Sequence, residues 1–235
     1  MILYEDYIGK IIDAIDDKIR TMNYVAHGAV AKLVNLGISD EFVYGSMLPD
    51  FAGMARTKLI RPILNHEIEN GVKFHYATDY AFDRNDKFRL IKAKFFEIHN
   101  KYLPRGAARA CADPGSEILL DGFALDIPGA ADLFDRVMAK AAGHSVKNDS
   151  LTIDQVALNE LNQKMAEYGA PIAYRDVEFA AISLYRRLSD RPRLSFSEDL
   201  IDRVAETFVL QQKVIGKVAA SLIRETVSDL SGFRP

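Results

Sequence analysis

The sequence predicts an all-α protein that forms a single compact helical domain over residues 1–235, and three observations support this fold class. Apolar residues recur at steps of three and four along most of the chain, which is the period of an amphipathic helix. No stretch between turn signals shows the sustained alternation of apolar and polar residues expected of a strand. The loops between the helical patterns are short and contain glycine or proline, so we expect one domain rather than several.

The first helical pattern covers residues 1–21 and lies outside the part of the chain that bears the candidate site. Acidic residues occupy its polar faces, and its apolar residues share one face: Tyr4, Ile8, Ile11, Ile15, Ile19 and Met22. This apolar stripe packs either on the protein's own core or on a second subunit. The second alternative predicts a homo-oligomer that forms through the N-terminal helix.

The second helix is predicted from Asn23 toward Leu36, where Gly37 fits its end, and Ser39 begins the next helix. Further helical patterns cover residues 57–70, 72–83, 86–100, 116–125, 130–142, 152–168, 174–189 and 197–230. The breakers in the intervening loops are Pro49, Gly71, Pro104-Arg105-Gly106, Pro128-Gly129, Gly169-Ala170-Pro171 and Pro192. The segment 143–151 is the most loop-like, and it would separate the site-bearing helices (22–142) from the C-terminal helices (152–235).

Composition narrows the class of protein. The formal net charge of −3 and the pI of about 6.0 argue against a dedicated nucleic-acid-binding protein. No apolar run approaches the ~20 residues that a membrane helix needs, so we expect no membrane association. The N-terminus carries acids within its apolar pattern and is not typical of a signal peptide. The single cysteine, Cys111, excludes an intramolecular disulfide, and we expect a reducing, cytoplasmic location.

The candidate chemistry centres on His75, Asp79 and Asp83, which follow one another at steps of four. Each such step advances only ~40° around a helix, so neighbouring members share a face. Two ligands at this spacing can bind one metal ion. An imidazole with carboxylates suits Mn²⁺, Fe²⁺ or Zn²⁺ better than Mg²⁺. The alternative is a solvated helix face, on which acids and histidines are common.

A second acidic pair, Glu117 and Asp121, is also spaced by four. Asp113 and Pro114, which precede it, are predicted to be the N-cap and the first residue of a helix. Glu117 then lies near the first turn, where a carboxylate is favourable for the helix dipole alone. Asp121 stands among apolar residues, and burial of an acid is costly unless the acid is paired or bound to a metal.

Two further residues are polar in apolar surroundings. Asp50 directly follows Pro49 at a predicted helix end, where it either caps the next turn or points a carboxylate into a cleft. His27 shares a helix face with Asn23 but stands among small apolar residues. We therefore interpret His27 as a hydrogen-bonded core histidine.

Three short segments, residues 22–27, 45–51 and 71–83, resemble in order and separation those of the acyl carrier protein phosphodiesterases, a branch of the HD-domain-like metal phosphohydrolases. The first matches that family's Met-Asn-aromatic-x-Ala-His segment, and the second matches Gly-x-x-x-x-Asp-Phe. The third matches Gly-Ile/Val-x-x-His-x-x-x-Asp-x-x-x-Asp and contains His75. Weaker similarity extends the resemblance over residues 22–230.

One position departs from the family pattern. The next family motif is Asp-His-Phe, and this chain has Asp121-Gly122-Phe123 in its place. Glu117, one turn earlier, is the nearest substitute for the absent histidine. The departure leaves open an alternative, a catalytically degenerate HD-like helical protein that serves as a binding or interaction module.

The resemblance implies an HD-like fold and a manganese-assisted hydrolysis of the phosphodiester that joins 4′-phosphopantetheine to a serine of acyl carrier protein. It implies a metal held by Asp50, His75, Asp79 and Asp121, with Asp83 orienting His75 or a bound water. In this interpretation His75, Asp79 and Asp83 take part in the reaction. Basic residues would face the phosphoester, and the candidates that follow site residues are Arg56, Lys58, Arg61, Arg105 and Arg109.

Overall fold

The structure is a computed structural model that describes residues 24–34, 39–143, 151–189 and 191–233. Its α-helices are α1 (Tyr24–Val34), α2 (Asp40–Met54), α3 (His66–Arg84), α4 (Asp86–His99), α5 (Arg105–Ala112), α6 (Pro114–Ala124), α7 (Ala130–Gly143), α8 (Gln155–Tyr168), α9 (Val177–Leu188) and α10 (Ile201–Asp229). Short 3₁₀ turns at Ile172–Arg175 and Glu198–Leu200 precede α9 and α10. Apart from one isolated bridge between Leu59 and Thr152, these ranges contain no β-structure. The all-α prediction is confirmed.

Several sequence-based predictions fall on other parts of the chain. The N-terminal helix over residues 1–21, with the oligomer contact proposed for it, lies outside the described residues. The same is true of Asn23, Gly37 and most of the 143–151 loop. These remain predictions.

The predicted helix over 57–70 is wrong in its first part, because residues 55–65 connect α2 to α3 without forming an α-helix. Pro62 lacks an N–H donor and disfavours helical backbone at the residue before it. The segment finds a different backbone partner: the N–H of Ile60 donates to the carbonyl of Leu151 at 2.9 Å. A long-range contact therefore replaces the local hydrogen bonds that helical periodicity suggests.

Two residues that we interpret as breakers lie inside helices. Pro49 is in α2, and Gly71 is in α3, which begins earlier than predicted because the side chain of Asn65 accepts the N–H of Ile68. Pro49 removes one backbone hydrogen bond, but it is buried, and the tertiary packing of α2 compensates for the loss.

Helix α5 is absent from the sequence-based assignment, in which Pro104, Arg105 and Gly106 are interpreted as a loop. Pro104 lies at the N-cap, where a missing N–H costs little, and four of the eight helical residues are alanine. Asp113 and Pro114 take the predicted positions at the start of α6, but the Asp113 carboxylate makes no capping hydrogen bond. It lies 2.8 Å from the Lys92 ammonium instead.

Helices α2 and α3 pack with their backbones in direct contact at two glycines. A methyl group added to Gly45 would lie 2.3 Å from the carbonyl oxygen of Ile68. One added to Gly71 would lie 2.2 Å from that of Phe42 and 2.7 Å from the Cα of Gly45. Real Cβ atoms do not approach backbone this closely, so the crossing requires glycine at both positions.

The longest helix, α10, ties distant parts of the chain together through Gln211, which is fully buried. Its Nε2 donates to the carbonyl of Cys111 at 2.8 Å and to the hydroxyl of Ser116 at 2.6 Å. Its Oε1 lies 2.9 Å from Nε2 of His99. One side chain thereby joins α10 to α4, α5 and α6. No helix in the described part of the chain, α10 included, is both long and apolar enough to cross a membrane.

The glycine crossing leads to a stability prediction. We expect Gly45→Ala or Gly71→Ala to lower the free energy of unfolding by about 3 kcal/mol or more, because each added methyl group meets backbone rather than a movable side chain. Urea denaturation followed by circular dichroism measures the change. Gly143→Ala is the matched control, since a methyl group at this helical glycine meets nothing within 4 Å. Equal stability of all three variants would contradict the close packing.

Candidate metal site

The crossing of α2 and α3 positions the first member of the site. His75 follows Gly71 by one turn, and Ser46 follows Gly45, so the two residues meet beside the glycine contact. Nδ1 of His75 lies 2.9 Å from the carbonyl oxygen of Ser46, to which it donates a hydrogen bond. This contact turns Nε2 of His75 toward Asp79, whose Oδ2 is 3.2 Å away.

Helix α1 contributes a second imidazole to the same place. Nε2 of His27 lies 3.1 Å from Oδ1 of Asp79, and the rings of His27 and His75 have centroids 4.0 Å apart. One ligand atom from each of His27, His75 and Asp79 lies within 4.8 Å of the other two. Two imidazoles and a carboxylate at these separations have the composition of a divalent-metal site. Both histidines are buried, whereas the Asp79 side chain is 28% exposed and opens the cluster to solvent.

His27 is fully buried, as the interpretation of it as a core histidine predicts, and its Nε2 lies 3.1 Å from Oδ1 of Asp79. Neither ring nitrogen makes a hydrogen bond of good geometry to the described residues, even though Nε2 is close to Asp79. A buried imidazole without hydrogen bonds is costly unless something else binds it. The Met-Asn-aromatic-x-Ala-His segment at residues 22–27, which ends on His27, was the one sequence signal that associated this residue with the site.

The charges of the cluster are strongly coupled. Burial lowers the pKa of His27 to about 4, and the charge of His75 lowers it as well. The charge of Asp79 opposes both effects. Burial also lowers the pKa of His75, but Asp79 and Asp50 outweigh it and raise the pKa to about 9. Burial raises the pKa of Asp79, but the two histidines outweigh it and hold the pKa well below its usual range. Near pH 7 and without a bound cation, these pKa values correspond to a neutral His27, a protonated His75 and an ionised Asp79.

Two of the other predicted ligands lie beside this cluster. Asp50, buried inside α2 rather than at a helix end, has Oδ2 4.0 Å from Nε2 of His27. Asp121 accepts the N–H of Ala26 through Oδ1 at 2.8 Å, while its buried Oδ2 makes no hydrogen bond to the described residues. Burial raises the pKa of Asp121 well above its usual range, and the charge of Asp50 adds to this effect, whereas the hydrogen bond from Ala26 opposes it. Asp121 is thus anchored to the backbone of α1, one residue before His27.

The remaining two predicted residues, Glu117 and Asp83, gather around Lys92 of α4. The Lys92 ammonium lies 3.8 Å from Oε1 of Glu117 and 3.7 Å from Oδ1 of Asp83. Burial raises the pKa of Glu117 well above its usual range, against the effect of Lys92, and the charges of Asp79 and Asp83 raise it further. The carbonyl of Ser46, rather than Asp83, accepts the Nδ1 hydrogen bond of His75, and the alternative that Asp83 orients a bound water stays a prediction. No helical periodicity identifies Lys92, since its partners lie on other helices.

Gly122, where the family pattern has histidine, packs against the turn Ile172–Arg175. A Cβ at this position would lie 3.2 Å from the carbonyl carbon and oxygen of Tyr174. The guanidinium Nε of Arg175 donates to the carbonyl of Gly122 at 3.1 Å and holds the turn in place. A Cβ introduced at residue 122 therefore requires the backbone of this turn to give by a few tenths of an ångström, and restoration of the family residue also adds a side chain at this contact.

Comparison of the chain with family models, with curated proteins and with solved structures gives no match. The family resemblance therefore rests on the three sequence motifs alone.

The raised pKa of His75 predicts a pH-dependent stability in protein stripped of divalent ions. The folded-state pKa of about 9 exceeds the ordinary value of 6.5, so the stabilisation is fully present below pH 6.5 and is lost as the pH rises through 9. The loss attributable to His75 is about 3 kcal/mol. We expect His75→Asn, whose amide can still donate to Ser46, to remove this part of the pH dependence. Urea denaturation between pH 6 and pH 10 measures it.

A second histidine on α3 provides the control for this experiment. His66 is exposed at the start of the helix and is not a member of the cluster, so His66→Asn tests whether the loss of any imidazole from α3 gives the same result. Parallel curves for the wild type and His75→Asn would contradict the ion pair between His75 and Asp79.

Proposed function

We propose that this protein is a divalent-metal-dependent phosphodiesterase or phosphohydrolase. The observation that carries the proposal is the convergence of His27, His75 and Asp79 within 4.8 Å, with Nδ1 of the buried His27 making no hydrogen bond to the described residues. Imidazoles and carboxylates together suit Mn²⁺, Fe²⁺ or Zn²⁺, and Mg²⁺ less well. The resemblance to manganese-dependent enzymes makes Mn²⁺ the favoured ion.

The donor set fits a metal ion in both chemistry and position. His27, His75 and Asp79 would hold it, with Asp50 and the second oxygen of Asp121 as the nearest further ligands. Such an ion would supply a Lewis acid that polarises a phosphoryl oxygen and a water of lowered pKa as the nucleophile. The Ser46 carbonyl keeps Nε2 of His75 directed at the site, and the exposed edge of Asp79 is where substrate and water would enter.

The substrate and setting follow from the sequence resemblance. The candidate substrate is a phosphodiester of the phosphopantetheine type carried by acyl carrier protein, and the candidate fold family is the HD-like one. A reducing, cytoplasmic location suits Cys111, which is buried and has a pKa raised by burial to about 12, so that it remains a thiol. An oligomer built through residues 1–21 belongs to the same proposal.

One observation favours a second candidate function, a degenerate binding module that no longer turns over substrate. The Lys92 ammonium lies 3.8 Å from Oε1 of Glu117, the residue best placed in sequence to substitute for the histidine absent at Gly122, and would compete there with a metal ion. A carboxylate with a lysine counterion is a poorer metal ligand. The metal site would then rest on fewer protein ligands than the family pattern implies.

Metal binding tests the proposal directly. We expect the purified wild type to bind Mn²⁺ in isothermal titration calorimetry and to hydrolyse bis(p-nitrophenyl) phosphate when Mn²⁺ is supplied. We expect Asp79→Asn to lower both metal affinity and turnover by about 100-fold or more, because it removes the carboxylate that joins the two imidazoles. Asp86→Asn, an exposed aspartate at the start of α4, is the matched control and should change neither.

The outcomes separate the two candidate functions. Metal binding without turnover across Mn²⁺, Fe²⁺, Zn²⁺ and Mg²⁺ would favour the binding module. If no divalent ion binds and no phosphodiester is hydrolysed, the metal-dependent proposal fails.

A further inference from the structure

A cavity of about 270 Å³ lies between α4 and α5, close to the low end of the ~300–1,000 Å³ typical of small-molecule sites. Its wall carries three cations and one carboxylate, and the remaining lining is apolar. The lining residues are Lys92, Ala93, Phe96, Arg105, Arg109, Ala112 and Asp113. The cavity is therefore positively charged in a protein whose formal net charge is −3.

The two arginines are available to a ligand. Arg105 and Arg109 are spaced by four on α5, so their side chains leave the same face with Cβ atoms roughly 5–6 Å apart. Neither arginine makes an ion pair or a side-chain hydrogen bond with the described part of the chain, and both are exposed. By contrast, Asp113, the one carboxylate of the wall, lies 2.8 Å from the ammonium of Lys92. The unneutralised charge of the cavity thus resides on the two arginines.

Lys92 lines this cavity and also contacts two carboxylates that lie near the metal cluster. Its ammonium lies within 4 Å of Asp83 and Glu117. Burial raises the pKa of both carboxyl groups, and the charge of Asp79 raises it further. Asp79 in turn contacts both histidines of the cluster. The cavity is a neighbour of the metal cluster and is separate from its ligand atoms.

We propose that this cavity binds a second, non-reacting anionic group of the substrate, a phosphate or a carboxylate, through Arg105 and Arg109. The planar guanidinium forks of two arginines match the oxygens of such a group. The apolar wall around Phe96 would receive the chain that links the group to the scissile phosphoester. The inference rests on the proposed function for the identity of the ligand as a substrate, but the anion site itself does not require catalysis.

The first test measures anion binding in protein freed of divalent ions, with inorganic phosphate and acetate as probes in isothermal titration calorimetry. We expect phosphate to bind the wild type and the double variant Arg105→Gln/Arg109→Gln to bind it about tenfold or more weakly. The relative affinity for acetate distinguishes a carboxylate-selective site from a phosphate-selective one. Arg136→Gln is the control, because Arg136 lies on α7 with Asp40 as its partner and does not line the cavity.

The second test uses two chromogenic phosphodiesters, the p-nitrophenyl ester of thymidine 5′-phosphate with and without a 3′-phosphate. We expect the additional phosphate to lower KM in the wild type with Mn²⁺, and the double variant to lose this advantage. An equal KM for both substrates in the wild type would show that the reacting molecule gains nothing from the cavity and would overturn its role in substrate binding.

Failure of this inference differs from failure of the proposed function. If the wild type hydrolyses neither ester but binds phosphate through Arg105 and Arg109, the catalytic proposal fails and the anion site stands. If the wild type binds no anion, or the double variant binds as tightly as the wild type, the anion site is refuted whether or not the protein is an enzyme.

Discussion

The contact between Gly45 and Gly71 is the constraint on which the candidate site depends. Two helices without side chains at their crossing approach until backbone meets backbone. The next residue of α2 then presents its carbonyl to the residue one turn further along α3, and this is the bond between Ser46 and His75. A wider crossing would leave His75 without its orienting acceptor and Asp79 further from His27. The geometry of the cluster is thus set by two positions that have no side-chain chemistry of their own.

The cluster is assembled at an electrostatic cost. Burial disfavours the charged forms of His27, Asp121 and Glu117, whereas ion pairing outweighs burial for His75 and Asp79. Several buried nitrogen and oxygen atoms around the cluster make no hydrogen bond to the described residues. A divalent cation in this position would favour the ionised carboxylates and the neutral imidazoles at the same time. The features that destabilise the metal-free site are the ones that a metal would relieve.

Local sequence patterns were sufficient for the fold class and for part of the site. The step of four between His75 and Asp79 is a property of one helix, so periodicity alone could identify it. The third member, His27, lies on a different helix, and single-helix patterns carry no information about where α1 crosses α3. For the same reason the sequence does not identify Lys92, because its carboxylate partners lie on α3 and α6. Nor does it predict the non-helical segment 55–65, because the backbone partner of that segment, Leu151, lies far along the chain. Pro49 is the opposite case: proline locally disfavours a helix, but the tertiary packing of α2 keeps this residue inside one.

The hydrogen bonds of Gln211 also bear on the order in which the molecule can form. They join α10 to residues about a hundred positions earlier in the chain, including the start of α6, the helix that carries Glu117 and Asp121. Because such contacts close a long loop, they form late in folding. On the ribosome, α6 cannot receive this support until Gln211, about a hundred residues later in the chain, has left the exit tunnel. The acidic side of the site would therefore be completed well after the crossing of α2 and α3 had become available to form.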